Sequence, residues 1–231
     1  MVIYMMARPD IKRLTPLFPL VLALLSGCGG NYTALRAKPD IYPDYAALSA
    51  ANVEGRDFSR EVYDRGAAAS VFAIHGGDIE PATARVARGI AGSDLNLYIF
   101  SGWLGGDSGK LHVSAVHFDD PAAVALSTSV QLAVSIHAQY GRGEWVCVGG
   151  ANAGAARKTA SDLRAAGFEA EYPCKRLPGV SPKNIVNRPE KGGVQLELTS
   201  GLLERFENSR EALSKFSGSV RKSIFAVLEK K

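Results

Sequence analysis

Apolar residues fall along this chain in short runs separated by stretches with helical spacing. Val71-Phe72-Ala73-Ile74 is a continuous apolar run of strand length. Residues 81–90 follow, with Ala, Val and Ile recurring on one helical face. Asn96-Leu97-Tyr98-Ile99-Phe100 predicts a second strand, and Leu111-His112-Val113-Ser114-Ala115-Val116 alternates like a third. Residues 121–128 predict a helix opened by Asp119 or Asp120. Leu132-Ala133-Val134-Ser135-Ile136 is a strand that runs directly into His137, and Trp145-Val146-Cys147-Val148 is another. A helix over 154–166 ends at Gly167, the expected stop signal. Strands over 168–172 and 193–198 follow, then a helix from 202 to 231 broken near Ser217-Gly218. Tyr45, Leu48 and Val53 mark a short amphipathic helix ahead of all of these. Strands interleaved with helices predict a single α/β domain: a three-layer α/β/α sandwich around a mixed, mostly parallel sheet.

The first residues break this pattern. Arg8, Lys12 and Arg13 precede the apolar run Leu17 to Leu25, which is too short to span a bilayer. It ends in Leu25-Ser26-Gly27-Cys28, which resembles the lipobox of bacterial lipoproteins. Residues 1–27 are therefore expected to be a lipoprotein signal peptide, 28–40 a tether, and 41–231 the folded domain. Cys28 is the expected lipidation site, and the anchor would be acyl chains rather than a transmembrane helix. Gly29 stands where an inner-membrane retention Asp would, which points to the outer membrane, facing the periplasm or the cell surface.

Composition narrows the picture further. The 231 residues are 46% hydrophobic and 22% charged, enough for one substantial core. The net charge of +4 is spread along the chain, which argues against nucleic acid as a partner. Of three cysteines, removal of Cys28 to an anchor leaves Cys147 and Cys174, an even pair that an oxidising compartment would bridge.

The candidate chemistry lies at strand ends, where open α/β sheets place their sites. Ile74-His75-Gly76-Gly77-Asp78-Ile79-Glu80 delivers an imidazole and a carboxylate to one such end, and His137 is placed similarly. Two His and one Glu suffice for a Zn²⁺ site with an open position. Glu197, between Leu196 and Leu198, is on a polar face, paired, neutralised by burial, or a working acid–base group. His112 reads as a supporting residue or a satisfied core histidine. Arg142, Lys175, Arg176 and Lys183 read as solvated charges rather than substrate clamps, although a polyanionic substrate would welcome any of them near the cleft.

Taken in order, several segments resemble the poly-γ-glutamate hydrolases. They include Ala73-Ile74-His75-Gly76-Gly77-Asp78-Ile79-Glu80-Pro81, Phe118-Asp119-Asp120-Pro121, Ser135-Ile136-His137, Asn184-Ile185-Val186-Asn187-Arg188 and Gly193-Val194-Gln195-Leu196-Glu197-Leu198, within about residues 60 to 210. The resemblance implies a zinc-carboxypeptidase-like α/β/α fold and cleavage of γ-glutamyl amide bonds. It places zinc ligands on His75, Glu80 and His137, the general base on Glu197, and a carboxylate-binding pair on Asn187 and Arg188. Ala138 and Ser101 depart from the family pattern, at positions expected on the pocket rim. The expected partner is a γ-glutamyl polymer or peptide, met by a monomer. An envelope endopeptidase acting on γ-D-glutamyl bonds of peptidoglycan, and a non-catalytic envelope binding lipoprotein, are the competing readings.

Overall fold

The computed structural model describes residues 39–229; the lipobox and Cys28 lie outside the described residues. Seven strands form one sheet in the order β1-β3-β2-β4-β7-β5-β6: β1 (Phe58–Tyr63), β2 (Ala69–Gly77), β3 (Asn96–Gly102), β4 (Leu132–Gln139), β5 (Trp145–Gly149), β6 (Glu169–Glu171) and β7 (Val194–Thr199). The four central strands β3, β2, β4 and β7 are parallel. Strand β1 on one side and β5 with β6 on the other run against them. The carboxyl ends of β2, β4 and β7 therefore share one edge of the sheet.

Helices cover both faces, which is why β3, β4 and β7 are buried at every position. On one face α2 (Thr83–Ala91), α4 (Ala153–Ala165), α5 (Ser200–Asn208) and α6 (Arg210–Leu228) pack over Val134, Ile136, Leu196 and Leu198. On the other, α1 (Tyr45–Ala51) and α3 (Pro121–Thr128) enclose an aromatic cluster of Tyr45, Phe58, Phe72, Tyr98, Phe100 and Phe118. Each such ring removes a large apolar area from water, worth roughly 2–3 kcal/mol per side chain. The expected sandwich is thus the observed one.

Three local expectations differ. Residues 111–116 are not a strand: a 3-10 helix (Gly105–Leu111) leads into turns, closed by His112 N–H to Gly109 and His117 N–H to Ser114. The segment's backbone bonds elsewhere instead: the Ser114 N–H donates to Asp40, and the Ala115 carbonyl accepts from the Ile185 N–H at 2.9 Å. Strand β1 itself is an edge strand in which Ser59-Arg60-Glu61 separate Phe58 from Val62 and Tyr63, so no apolar run marks it. The C-terminal break falls at Ser209, whose hydroxyl caps α6 by accepting from the Ala212 N–H at 3.1 Å; Gly218 is accommodated inside α6.

Asp120 caps α3 by accepting from the Ala122 N–H at 2.9 Å, and it also takes hydrogen bonds from Tyr98 and Arg60. The Phe118-Asp119-Asp120-Pro121 segment is accordingly a fastening point between α1, β1, β3 and α3. Cys147 and Cys174 are joined by a disulfide, with Cα atoms 5.0 Å apart.

Candidate metal centre

Alternation sorts the sheet into a core face and a site face. On β4 the even residues Val134, Ile136 and Ala138 join the core, which turns Ser135 and His137 to the opposite face. On β7 Leu196 and Leu198 do the same, which turns Gln195 and Glu197 to that face too. His137 and Glu197 are direct partners in the β4–β7 ladder, so their side chains emerge together. Strict alternation along β2 would send His75 to the core face with Val71 and Ala73. A bulge between Ala73 and Gly76 inserts one residue relative to β3, and it re-aims His75 toward the site.

The two glycines serve the turn that follows. Gly77 has φ +66, and a Cβ there would lie 2.3 Å from the Gly102 carbonyl. The chain doubles back so that the Glu80 N–H donates to the His75 carbonyl at 2.7 Å. Glu80 thereby returns its carboxylate to His75. One oxygen, Oε2, accepts from the Ala138 N–H at 2.9 Å; the other, Oε1, lies 3.0 Å from His75 Nδ1.

The donor set at this point fits a cation. His75 Nε2 lies 2.9 Å from the Val113 carbonyl, which only accepts, so Nε2 carries a proton. With zinc bound, a neutral ring would turn the Nδ1 lone pair toward the same point as the Glu80 oxygen; without metal, a proton on Nδ1 is donated to Glu80 Oε1. His75 Nδ1 and Glu80 Oε1 lie 3.0 Å apart, with His137 Nδ1 a further 3.2 Å from His75 Nδ1 and 3.7 Å from Glu80 Oε2. Tetrahedral zinc with bonds near 2.0–2.1 Å sets its ligand atoms about 3.3 Å apart. The three residues are buried, so their polar atoms are satisfied by one another or by a bound cation rather than by bulk water. The remaining ring nitrogen of His137, Nε2, is buried without a hydrogen-bond partner.

His112 also reaches this cluster. One ligand atom each of His75, Glu80 and His112 lies within 4.8 Å of the others. Its ring stacks on His75 with centroids 4.0 Å apart and planes 30° apart, and its Nδ1 lies 2.6 Å from Asp40 Oδ1. The second Asp40 oxygen accepts from the Ser114 N–H at 2.7 Å. Asp40, assigned by sequence to the tether, is thus docked against the site. A lone acid in a loop, 72 residues from its partner, carries no sequence signal.

Protonation follows from these neighbours. Burial would raise the Glu80 carboxyl, but the His75 charge and hydrogen bonds from His137 and His75 outweigh it and hold it well below the usual carboxylate range. Burial would lower the His137 ring, but the hydrogen bond and charge of Glu80 raise it. The His75 ring, then burial, push His112 down to about 4, against the opposing pull of Glu80 and Asp40. Burial, with the Glu80 charge adding to it, pushes Glu197 up to about 7, although the His137 charge opposes the rise. Glu197 Oε1 accepts from Gln195 Nε2 at 2.8 Å, and Gln195 is oriented in turn by Asn184 at 2.7 Å.

The remaining expected residues are placed differently. Both amide hydrogens of Asn187 are taken, by the Gly179 and Ser181 carbonyls, and its Oδ1 accepts from the Ala151 and Gly193 N–H groups. The side chain is a staple between loops, with no hydrogen left to offer a carboxylate. Arg188 is exposed, and its side chain makes no hydrogen bond or ion pair among the described residues. Ser101 and Ala138 are buried rather than on a rim: Ser101 packs against Gly76, and the Ala138 methyl is in the core.

The chain belongs to the poly-gamma-glutamate hydrolase family, whose model matches residues 42–223. It is therefore a member of a hydrolase family. YndL of Bacillus subtilis (strain 168) is 31% identical over 165 residues, which cover 70% of this chain and 65% of YndL. The prophage-derived YoqZ of the same organism is 33% identical over 150 residues, 64% of this chain and 52% of YoqZ. The chain thus spans between half and two thirds of the length of these relatives. Among solved structures, a bacteriophage poly-gamma-glutamate hydrolase superposes with a TM-score of 0.79 at 28% identity, covering 84% of this chain and all of that one. A zinc-free form of YndL superposes with a TM-score of 0.73 at 26% identity, over 83% and 98% of the two chains.

Proposed function

We propose that this protein is a zinc-dependent hydrolase of γ-glutamyl amide bonds, with zinc held by His75, Glu80 and His137. The observation that carries the reading is the convergence, in a buried site, of His75 Nδ1 with Glu80 Oε1 at 3.0 Å and with His137 Nδ1 at 3.2 Å, spacings near those of tetrahedral zinc ligands. Membership of the poly-gamma-glutamate hydrolase family supports the substrate, and the existence of a zinc-free form of YndL supports the metal. His137 is preferred to His112 as third ligand on ring geometry. The His75 and His137 planes meet at 65°, which lets in-plane lone pairs converge, whereas stacked rings direct theirs side by side.

Bound zinc supplies Lewis acidity, polarising an amide carbonyl and making water more acidic. The protein's own groups do the rest. Glu197, buried beside His137, takes a proton from the attacking water and passes it to the departing amine nitrogen. Gln195 fixes which Glu197 oxygen faces the site. Val113 locks the His75 tautomer, and the Ala138 N–H holds Glu80, so the ligand set needs little rearrangement. Asp40 holds His112 with its Nδ1–H engaged and its Nε2 free to accept.

Metal analysis combined with release of free amines from poly-γ-glutamate tests the proposal. One equivalent of zinc and polymer cleavage that chelation abolishes are expected. A purified protein that binds no zinc, or that cleaves muropeptides but not the polymer, overturns it. We also infer attachment to the cell envelope through acylated Cys28. The Leu-Ser-Gly-Cys ending supports this, as does the disulfide, which belongs to oxidising compartments. Cys28→Ala should move the protein from the membrane to the soluble fraction.

A further inference from the structure

The loop after β6 has little regular structure, yet it is fastened beside the site along its length. Cys174 is bonded to Cys147, the residue paired with Glu197 across the β5–β7 ladder. The Cys174 N–H donates to the Val148 carbonyl at 3.0 Å, and the Pro178 carbonyl accepts from the Gly150 N–H at 2.8 Å. Between these anchors, the Leu177 carbonyl accepts at 3.4 Å from Gln195 Nε2, the same nitrogen that donates to Glu197. Arg176 is held in turn: its Nη2 donates to the carbonyl of Tyr140, which follows the end of β4, the strand that carries His137. The guanidinium is exposed, within electrostatic reach of Glu197, and in no ion pair among the described residues. A cation fixed by its loop, and left without a carboxylate, is equipped to bind one.

The chemistry of a γ-glutamyl chain says which carboxylate. The scissile nitrogen is borne by the α-carbon of the next glutamate, and that same carbon carries the free α-carboxylate. The group that hands a proton to this nitrogen therefore works two bonds from an anion. In an α-linked peptide the same position is a neutral main-chain carbonyl. We propose that Arg176 is the specificity residue of this site, pairing with the α-carboxylate on the leaving side of the scissile bond and so selecting γ-linked over α-linked glutamate. This deepens the hydrolase reading above and rests on it. It also gives the disulfide a function: the Cys147–Cys174 bond anchors the loop that presents Arg176 next to the strand that presents Glu197.

The test uses the zinc-loaded protein and a γ-linked glutamate oligomer, alongside the same oligomer with its α-carboxylates converted to carboxamides. The wild type should favour the carboxylate oligomer. Arg176→Ala should raise KM for it by on the order of 10- to 100-fold, the range for loss of a charged hydrogen bond, with kcat changed less than about fivefold. The same variant should leave KM for the carboxamide oligomer unchanged, so the preference collapses. Arg176→Lys should recover part of it, and Lys175→Ala, at the neighbouring exposed lysine, should have no effect. Unchanged discrimination in Arg176→Ala overturns the proposal while leaving the hydrolase reading intact. If the wild type cleaves neither oligomer, calorimetry decides: Arg176-dependent binding of the carboxylate oligomer retains the subsite and removes the hydrolase, and absence of binding removes both.

Discussion

Glu197 lies directly opposite His137 in the parallel β4–β7 ladder, and both side chains rise from the same face of the sheet. Under the proposed function, this relationship sets a proton-transfer group beside a ligand. His137 Nδ1 faces Glu80 and His75, while the Glu197 carboxylate is tied to Gln195. Glu197→Gln should therefore keep one equivalent of zinc and the native fold. It should lose about a hundredfold or more in kcat, the usual scale for general acid–base catalysis. Metal content and steady-state rates measured on one preparation check both halves. Loss of zinc together with activity would make Glu197 a ligand instead.

The same residue gives the metal-free protein a distinct pH dependence. Burial raises the Glu197 carboxyl from 4.5 to about 7 in the folded state. The native protein then binds more protons than the unfolded chain between those values, so stability falls as pH rises through that window and is level above it. Glu197→Gln, which cannot ionise, should be the more stable protein above pH 7, by up to about 3 kcal/mol. The gap should close as pH is lowered toward 4.5. Chemical unfolding of metal-free wild type and variant at several pH values measures it, and a gap that stays constant with pH rules the effect out.

Most of the architecture was legible because the buried strands are written as apolar runs and the helices between them as amphipathic ones. The candidate site was legible in residue type, since His75 and His137 lie toward the ends of two such strands. What the sequence could not carry was geometry that depends on a neighbour. The bulge that re-aims His75 exists only relative to β3. Strand β1 is recognised by its pairing with β3 rather than by hydrophobicity. The 111–116 segment alternates like a strand, but its backbone bonds to turns, to Asp40 and to Ile185 rather than to a ladder. Asp40 docks on His112 and Arg176 on the Tyr140 carbonyl from loops, where no periodicity reports on position.

Asn187 illustrates the difference between a residue that binds substrate and one that builds the site. Its amide accepts from two backbone N–H groups and donates to two carbonyls, joining the 179–181 loop to Ala151 and Gly193. Asn187→Asp should place a carboxylate oxygen against the Gly179 and Ser181 carbonyls. The expected cost is about 2 kcal/mol or more in stability, the scale for leaving buried polar groups unsatisfied. Arg188→Ala, at an exposed side chain, should stay within about 0.5 kcal/mol of wild type. Thermal and denaturant unfolding of the pair test this. Native stability in Asn187→Asp would restore the amide to the list of substrate-binding groups.

Three imidazoles surround one carboxylate here, and only two are needed to complete a three-ligand zinc site. His75 and His137 bring Nδ1 atoms to 3.2 Å with inclined rings, whereas His112 stacks on His75 and is committed to Asp40 through Nδ1. His75→Ala and His137→Ala should each abolish zinc binding at micromolar metal. His112→Ala should still bind one equivalent, with affinity or activity lowered about 10- to 100-fold, the scale for a residue that supports a ligand without being one. Asp40→Asn should act in the same direction more weakly, because the amide can still accept from His112 while losing its charge. Zinc titrations on the four variants decide between the two sets. Retention of zinc in His137→Ala together with its loss in His112→Ala would show that His112 completes the site, and that His137, with its unpartnered Nε2, is there to meet the substrate.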